Sequence, residues 1–599
     1  MTEKLPHWDL SEIYPGLDTP EFAEGFANGL QTMKALVALF DQHHINRIDD
    51  ATQMPEDATA VLEQIVTAYN SGVDEIITLY TYIFSFIATD SRNTAAQAKL
   101  SEIQQQFSHL SLLGTRLTAW LGSLDVEVLI ANSAIAADHA FVLRRAQQEA
   151  EHLMSPIEEA LAAELNLTGS QSWNRLFNTY TSQLTVTVEM EGESKEMPLT
   201  AAQNLMFSPD RELRKQANDQ IEAALAKAAV PNAAALNAIK GETLALSRRR
   251  GWDSPLDMVL FDNAIDRETL EAMNDAARRA FPDFQRYLRA RARFLELPIL
   301  AHYDRLVPLG QGSQQWSYGE VQQFIIEQFR TYSPRMADLA QRAFANGWID
   351  AEPRDGKRGG AFCMWLRNGD SRILSNFEPS FNSLGTLAHE LGHAYHNLNL
   401  RDRTILQRSL PMTLAETAST FCQKVVENAA LKTAVKSDQI IILDTLLEYA
   451  TRVVLGATSD FDFETEVFKL RAQRDLSVEE LCDLSFKTRM APVGDTIDPE
   501  THTRYRWVYV PHYYGSSYYN FPYTFGLLFG LGLYAQYQAE PEPFKAGYDE
   551  LLSMTGMGNA ADLANRFGID IRSEAFWEAS LDVLRADIDK FVALVEATE

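Results

Sequence analysis

The sequence is short of cysteine, short of basic relative to acidic residues, and has no long apolar run. Each shortage excludes a class of protein. Three cysteines, Cys363, Cys422 and Cys482, are spread over 599 residues. They are odd in number and far apart, so they make no disulfide framework and fit a reducing compartment. Lys and Arg total 53 against 82 Asp and Glu, a formal net charge of −29. A surface this acidic repels nucleic acid and anionic membranes. The first residues, Met1 to Leu17, contain no apolar core of signal-peptide length. The most apolar late stretch, Phe525 to Tyr534, is about half of the roughly twenty residues a membrane span needs. The expectation is a cytoplasmic protein with neither nucleic acid nor a membrane as partner.

What is present is globular in character. Hydrophobic residues make up 46% and charged residues 23%, which excludes disordered and low-complexity classes. A chain this long buries several cores. Leu62, Ile65, Val66 and Tyr69 recur at helical spacing, followed by Ile76, Ile77, Tyr80 and Ile83. Ser208-Pro209 predicts an N-cap with proline at the first helical position, opening a long Ala-rich helix toward Arg248. Strand signals are sparse. Thr185–Met190 and Lys195–Leu199 predict a hairpin turning at Glu191–Glu193, and Arg372–Ser375 predicts a short strand. The fold is therefore expected to be mainly α. The hairpin is the best boundary, dividing the chain into 1–195 and 196–599. Pro353–Gly360 predicts a flexible basic loop.

The segment His389-Glu390-Leu-Gly-His393-Ala-Tyr-His396 carries chemistry. Two histidines four apart on a helix present both imidazoles on one side and can bind one zinc ion. Glu390 beside them can take a proton from water at the metal. By chance the five-residue pattern arises in about 2% of such chains, so its context matters. Leu384, Leu387, Ala388 and Leu391 form an apolar stripe around it. A third ligand is needed. The extended pattern with a third histidine fails, because residue 399 is Asn. Among the acids that follow, Glu416, in a helix expected to begin near Pro411, returns at a reasonable distance. His389, His393 and Glu416 leave a fourth position open, as a catalytic zinc site requires. His396 either orients another group or is a polar helix residue.

Attack on a peptide carbonyl makes an oxyanion that needs donors. Trp507 to Tyr523 packs one His, His512, and six Tyr into 17 residues, with Gly515-Ser-Ser517 giving a loop. Tyr514, Tyr518, Tyr519 and Tyr523 are suited to bind substrate, although an aromatic core stripe reads the same way. Gly360 opens a segment, Gly359–Trp365, that precedes the expected strand. An exposed strand beside the metal helix pairs with an extended peptide backbone.

These residues resemble the oligoendopeptidase F branch of the thimet-oligopeptidase-like zinc metallopeptidases. Trp8-Asp-Leu-Ser-Glu-Ile-Tyr-Pro15 is similar to the N-terminal signature of that branch. His389–His396 is similar to its zinc helix, Ala415–Phe421 to the segment bearing the third ligand, and His512–Tyr523 to its substrate-binding loop. The resemblance implies two helical lobes around a deep, narrow cleft, a small sheet near the zinc helix, and a zincin-like catalytic core. It further implies one zinc per chain, Glu390 as general base, oligopeptide substrates, and His512 and Tyr523 at the substrate or oxyanion. The sequence departs from the family at Gln423, where relatives often carry glutamate seven residues after the third ligand. The reading is a zinc endopeptidase of short unfolded peptides. The rival is a zinc carboxypeptidase or dipeptidase-type exopeptidase of similar fold, with Arg358 and Arg372 near a substrate carboxylate.

Overall fold

The computed structural model describes residues 4–48, 55–190, 192–310, 312 and 314–598. About 70% of the chain is helical, with two small sheets, so the mainly α expectation holds. By contact the chain divides into two units, neither continuous in sequence. Unit 1 comprises 1–153, 315–429 and 536–567, and unit 2 comprises 154–314, 430–535 and 568–599. The boundary drawn at 195 on sequence grounds lies inside unit 2.

Unit 1 begins with three long helices, Pro20–Gln42, Ala58–Thr89 and Thr94–Leu121. The periodic residues Leu62, Ile65, Val66, Ile76 and Ile83 all face its core, where they meet Phe22, Phe26, Met33 and Phe40. Trp8, Ile13 and Tyr14 pack onto the same core. The N-terminal signature thus ties the chain end to this unit, and the carbonyl of Asp9 accepts from Nε of Arg372.

The sheet of unit 1 has strand order Ile349–Asp350, Asp370–Leu374, Phe362–Arg367. The first pair is parallel and the second antiparallel, with Met364 opposite Arg372. The predicted strand is therefore central, running Asp370–Leu374, and its partner Phe362–Arg367 is an edge. The two are joined by Asn368-Gly369, both with positive φ (53° and 82°). Asn-Gly in that conformation is the tight hairpin turn that matches strand twist, and the dipeptide is a hairpin signal in the sequence itself.

The loop expected to be flexible and basic is anchored. Buried Asp350 accepts from Arg354 at 2.7 Å and pairs with Lys357 at 2.8 Å, and Nζ of Lys357 also donates to the carbonyls of Asp350, Glu352 and Ser375.

Unit 2 is built on one 39-residue helix, Arg211–Arg249. Its cap is Asp210, whose carboxylate accepts from the amides of Glu212 and Leu213, and Ser208 instead accepts from the amide of Asp210. The expected start at Ser208-Pro209 was two residues early because Asp210 is the better acceptor at an N-terminus. The hairpin pairs Thr185–Met190 with Glu193–Pro198. Glu191, part of its expected turn, lies outside the described residues. Val186 and Val188 bury against Leu225, Leu236 and Ile239 of the long helix and against Trp507 and Tyr514.

None of the three cysteines forms a disulfide. Among the described residues, no helix is long and apolar enough to cross a membrane.

Candidate metal centre and active site

The histidine helix runs Phe381–Leu400 in unit 1, capped by Ser380, whose hydroxyl accepts from the amide of Ser383. Leu384, Leu387, Ala388 and Leu391 are fully buried, as their stripe predicted. The helix packs on both longer strands of the sheet, and Asn397 donates to Oγ of Ser371. This burial sets the rotation of the helix and so the direction of its two imidazoles.

The His389 and His393 rings lie 4.9 Å apart between centroids, nearly perpendicular at 84°. Nε2 of each faces Oε2 of Glu416, at 3.2 Å and 3.4 Å. One ligand atom from each of the three residues lies within 4.8 Å of the others. Burial would raise the Glu416 carboxyl, but the two imidazoles hold it down at about 2. Two imidazole nitrogens and one carboxylate are a fitting donor set for zinc.

Glu416 is not inside a helix. It terminates a four-residue helix, Met412–Ala415, and the next helix starts at Ser419. The break is held from several sides. Oγ of Ser419 donates to Oε2 of Glu416. Tyr548 donates its hydroxyl to the carbonyl of Thr417 at 3.0 Å. Phe421 then stacks into Tyr332, Phe544 and Tyr548 at 4.9–5.4 Å. Such aromatic pairs contribute about 0.5–1.5 kcal/mol each beyond area burial. Gly392 permits the approach, because a Cβ there would lie 2.6 Å from Cα of Ser419 and 2.7 Å from the carbonyl oxygen of Ala418.

A second layer fixes the ligands. Nδ1 of His389 meets Oε1 of Gln423 at 2.9 Å, and Nε2 of Gln423 donates to Glu427 at 2.6 Å. An amide oxygen accepts only, so Nδ1 carries a proton and Nε2 is the nitrogen turned to Glu416, whose carboxylate, against the effect of burial, holds the imidazole up at about 9 while no metal competes for that nitrogen. The outer carboxylate that the substitution at 423 put in question is supplied one turn later, by Glu427. His396 is 1% exposed, its Nε2 meets Oγ1 of Thr555 at 2.8 Å, and burial, then the charge of His393, lowers its imidazole to about 3.

Glu390 is 5% exposed, and its Oε2 has no hydrogen-bond partner among the described residues. Burial raises its carboxyl to about 7, with His389 pulling down and Glu416 pushing up. An orphaned buried carboxylate oxygen is costly unless something is meant to use it.

The tyrosine segment belongs to unit 2. His512 begins a four-residue helix, His512–Gly515, and its Nδ1 meets Oδ1 of Asn520 at 3.1 Å. Its ring lies 4.5 Å from Tyr519 and 6.1 Å from Tyr523. Tyr523 is 39% exposed. These three form one group with a solvent face.

Tyr514 and Tyr518 do not join them. Tyr514 is buried, stacked on Phe177 at 3.8 Å, with its hydroxyl donating to the carbonyl of Trp507. Tyr518 is buried against Phe461 and Phe468. It sits at a positive φ of 52°, and its amide donates to Oε2 of Glu464. Glu464 and Lys240 form a buried pair at 2.6 Å, and Nζ of Lys240 also donates to the carbonyl of Ser516. Residues 516–518 are thereby fastened to the long helix, and the two tyrosines placed with the substrate set on sequence grounds are core residues.

Gly360, at φ 78°, holds its loop through Asn376, which donates to its carbonyl at 2.9 Å. It precedes the edge strand Phe362–Arg367. Arg372, weighed as a carboxylate anchor, is fully buried and bonded to Asp9 and Ser371 carbonyls. Arg358 is exposed over the Phe84 and Phe362 rings.

Comparison with known proteins bears on the whole chain. Residues 204–583 match the profile of peptidase family M3, and residues 123–185 match that of oligopeptidase F. Oligopeptidase PepF of Bacillus subtilis is 22% identical over 98% of this chain and 87% of its own. An oligoendopeptidase F homologue of Lactococcus lactis is 23% identical over all of this chain and 98% of its own. In structure, a protein from Chlamydophila abortus aligns with a TM-score of 0.81 at 21% identity, covering 98% of both chains. Oligoendopeptidase-F from Enterococcus faecium aligns with a TM-score of 0.70 at 17% identity, covering 96% of this chain and 99% of that one.

Proposed function

This chain belongs to peptidase family M3, and from that premise we propose that it is a zinc-dependent endopeptidase cutting internal bonds of short, unfolded oligopeptides. The observation that carries the proposal is the convergence of His389, His393 and Glu416 around a carboxylate, Glu390, with an unused buried oxygen. The three converging residues would hold one zinc ion per chain. Bound there, zinc supplies Lewis-acid polarisation of the scissile carbonyl and of the attacking water.

Glu390 takes the proton of the attacking water and hands it to the leaving amine. Its unengaged Oε2 is the acceptor. The Gln423–Glu427 relay keeps His389 in the tautomer that offers Nε2. Tyr523 donates its hydroxyl to the developing oxyanion, and His512, oriented by the contact of Nδ1 with Asn520, assists it. Tyr519 and the backbone at Gly360 and the edge strand bind the extended peptide. Three free thiols fit action in the cytoplasm.

Of the two arginines that could anchor a substrate carboxylate for an exopeptidase, Arg372 is buried and Arg358 is exposed. The deciding test uses peptides blocked at both ends, with products mapped by mass spectrometry. Internal cleavage, abolished by a chelator and restored by zinc, supports the proposal. Release of single residues or dipeptides from unblocked peptides alone would replace it with the exopeptidase reading.

A further inference from the structure

Unit 2 holds a second charged cluster, and it is cationic in a chain whose net charge is −29. Asp460, buried, accepts from Arg489 at 3.0 Å, from Arg506 at 2.9 Å and from the hydroxyl of Tyr513 at 2.8 Å. Arg452 pairs with Glu448 at 2.9 Å. Arg305 lies within the electrostatic reach of Arg489, Arg506, Arg452 and Glu448, and among the described residues its guanidinium has neither a hydrogen bond nor an ion pair. With the Arg291–Asp444 pair, which also reaches Glu448, five guanidinium groups therefore stand against three carboxylates.

The histidines beside them do not supply the missing negative charge. The His302 and His502 rings lie 4.9 Å apart. Nδ1 of His302 is buried without a partner. Burial, with the arginine charges, keeps both imidazoles neutral. Burial and the neighbouring cations also pull the Arg305 guanidinium down to about 10. An uncompensated cation in such surroundings is costly.

The cluster is not sealed. Arg305 is half-buried, and the Arg506 side chain keeps 25% exposure. The helix beside it changes winding at Arg452–Ala457 to a π turn, and the carbonyl of Gly456 in that turn accepts from Arg489. Such turns recur at functional sites.

We propose that Arg305, flanked by Arg489 and Arg506, forms a site for a carboxylate or a small oxyanion of like geometry. Guanidinium binds such groups through paired N–H donors. The carboxylate comes either from the C-terminus of a peptide or from a free small anion. Only the first source rests on the peptidase reading. Tyr513 joins the site to its neighbour His512 in the chain, since its hydroxyl shares Asp460 with both arginines.

The probe is sodium formate, with thermal unfolding of the full chain as the readout. Wild type shows a saturable upward shift in Tm. Arg305→Gln removes the unpaired cation, so it unfolds at a higher Tm than wild type without formate and shows no formate shift. Arg305→Lys keeps a weaker shift. Equal formate responses in wild type and Arg305→Gln overturn the site. Should Arg305→Gln not fold, saturation-transfer NMR from wild type to formate decides: transfer suppressed by sulfate supports the site, and no transfer overturns it. Peptides ending in a free acid or an amide then identify the source. A KM at least tenfold lower for the acid, with the difference narrowed by Arg305→Lys, assigns the peptide terminus. Equal KM values with the formate shift intact assign a free anion.

Discussion

Nδ1 of His389 donates to the side-chain oxygen of Gln423 across 2.9 Å, and the amide nitrogen of Gln423 donates onward to Glu427. The relay makes an amide, rather than a carboxylate, the orienting partner of a histidine proposed to bind the metal. It still ends on a carboxylate, one helical turn away. Removing an outer partner of this kind costs about 10–100-fold in metal affinity. Gln423→Ala is expected to weaken zinc binding by that factor, measured by competition with a chromophoric chelator. Gln423→Glu is expected to retain affinity. A Gln423→Ala variant that binds zinc as wild type does would show the relay to be idle.

Gly392 sits where the histidine helix meets the Glu416 segment. The methyl of Gly392→Ala would strike backbone atoms of Ala418 and Ser419 at 2.6–2.7 Å. Backbone cannot rotate away as a side chain can. The substitution is expected to cost about 1–3 kcal/mol of stability and to lower zinc affinity by displacing Glu416. Chemical unfolding and chelator competition measure the two effects together. Loss of stability with unchanged zinc affinity would separate packing from ligand placement.

Much of this site was legible in the sequence, for definite reasons. The histidine helix carries its own periodicity, and both imidazoles follow from a spacing of four. Glu416 was found because few acids follow His393, yet its position at a helix break was not, since Ser419, Thr417 and Tyr548 hold it through tertiary contacts. The cap at Asp210 and the Asn368-Gly369 turn were readable from local chemistry and were passed over. The strand Ile349–Asp350 is two residues long and leaves no pattern. Tyr514 and Tyr518 show the limit most clearly: their composition suits a binding loop, and only the Phe177, Phe461 and Phe468 rings against them reveal a core.

Tyr523 is expected to act on chemistry and not on folding. It is 39% exposed, so Tyr523→Phe should leave Tm unchanged. Loss of one oxyanion donor costs about 10²–10³ in kcat. Steady-state kinetics on an internally quenched peptide should show that fall with KM nearly constant. A rise in KM with kcat unchanged would move Tyr523 to substrate binding alone.

Acid should destabilise unit 2. Burial, then the charge of Arg489, lowers His502 to about 3, and burial lowers His302 well below its ordinary value. Both folded values lie below the unfolded one, near 6.5. The unfolded chain therefore binds more protons over that window, and stability is lost as pH falls from about 6.5 toward 3. Each histidine contributes up to about 1.4 kcal/mol per pH unit. His502→Gln is expected to flatten the acid limb of Tm against pH. An unchanged limb would assign acid sensitivity elsewhere.

The most direct test of the central claim is Glu390→Gln, assayed for zinc content and for cleavage of an internally quenched peptide blocked at both ends. Glutamine fills the same buried space but cannot accept the proton. The account predicts one zinc per chain in both proteins, internal cleavage by wild type, and a loss of at least about a thousandfold in kcat for the variant. A Glu390→Gln protein that holds zinc and still cuts at a rate near wild type would contradict it.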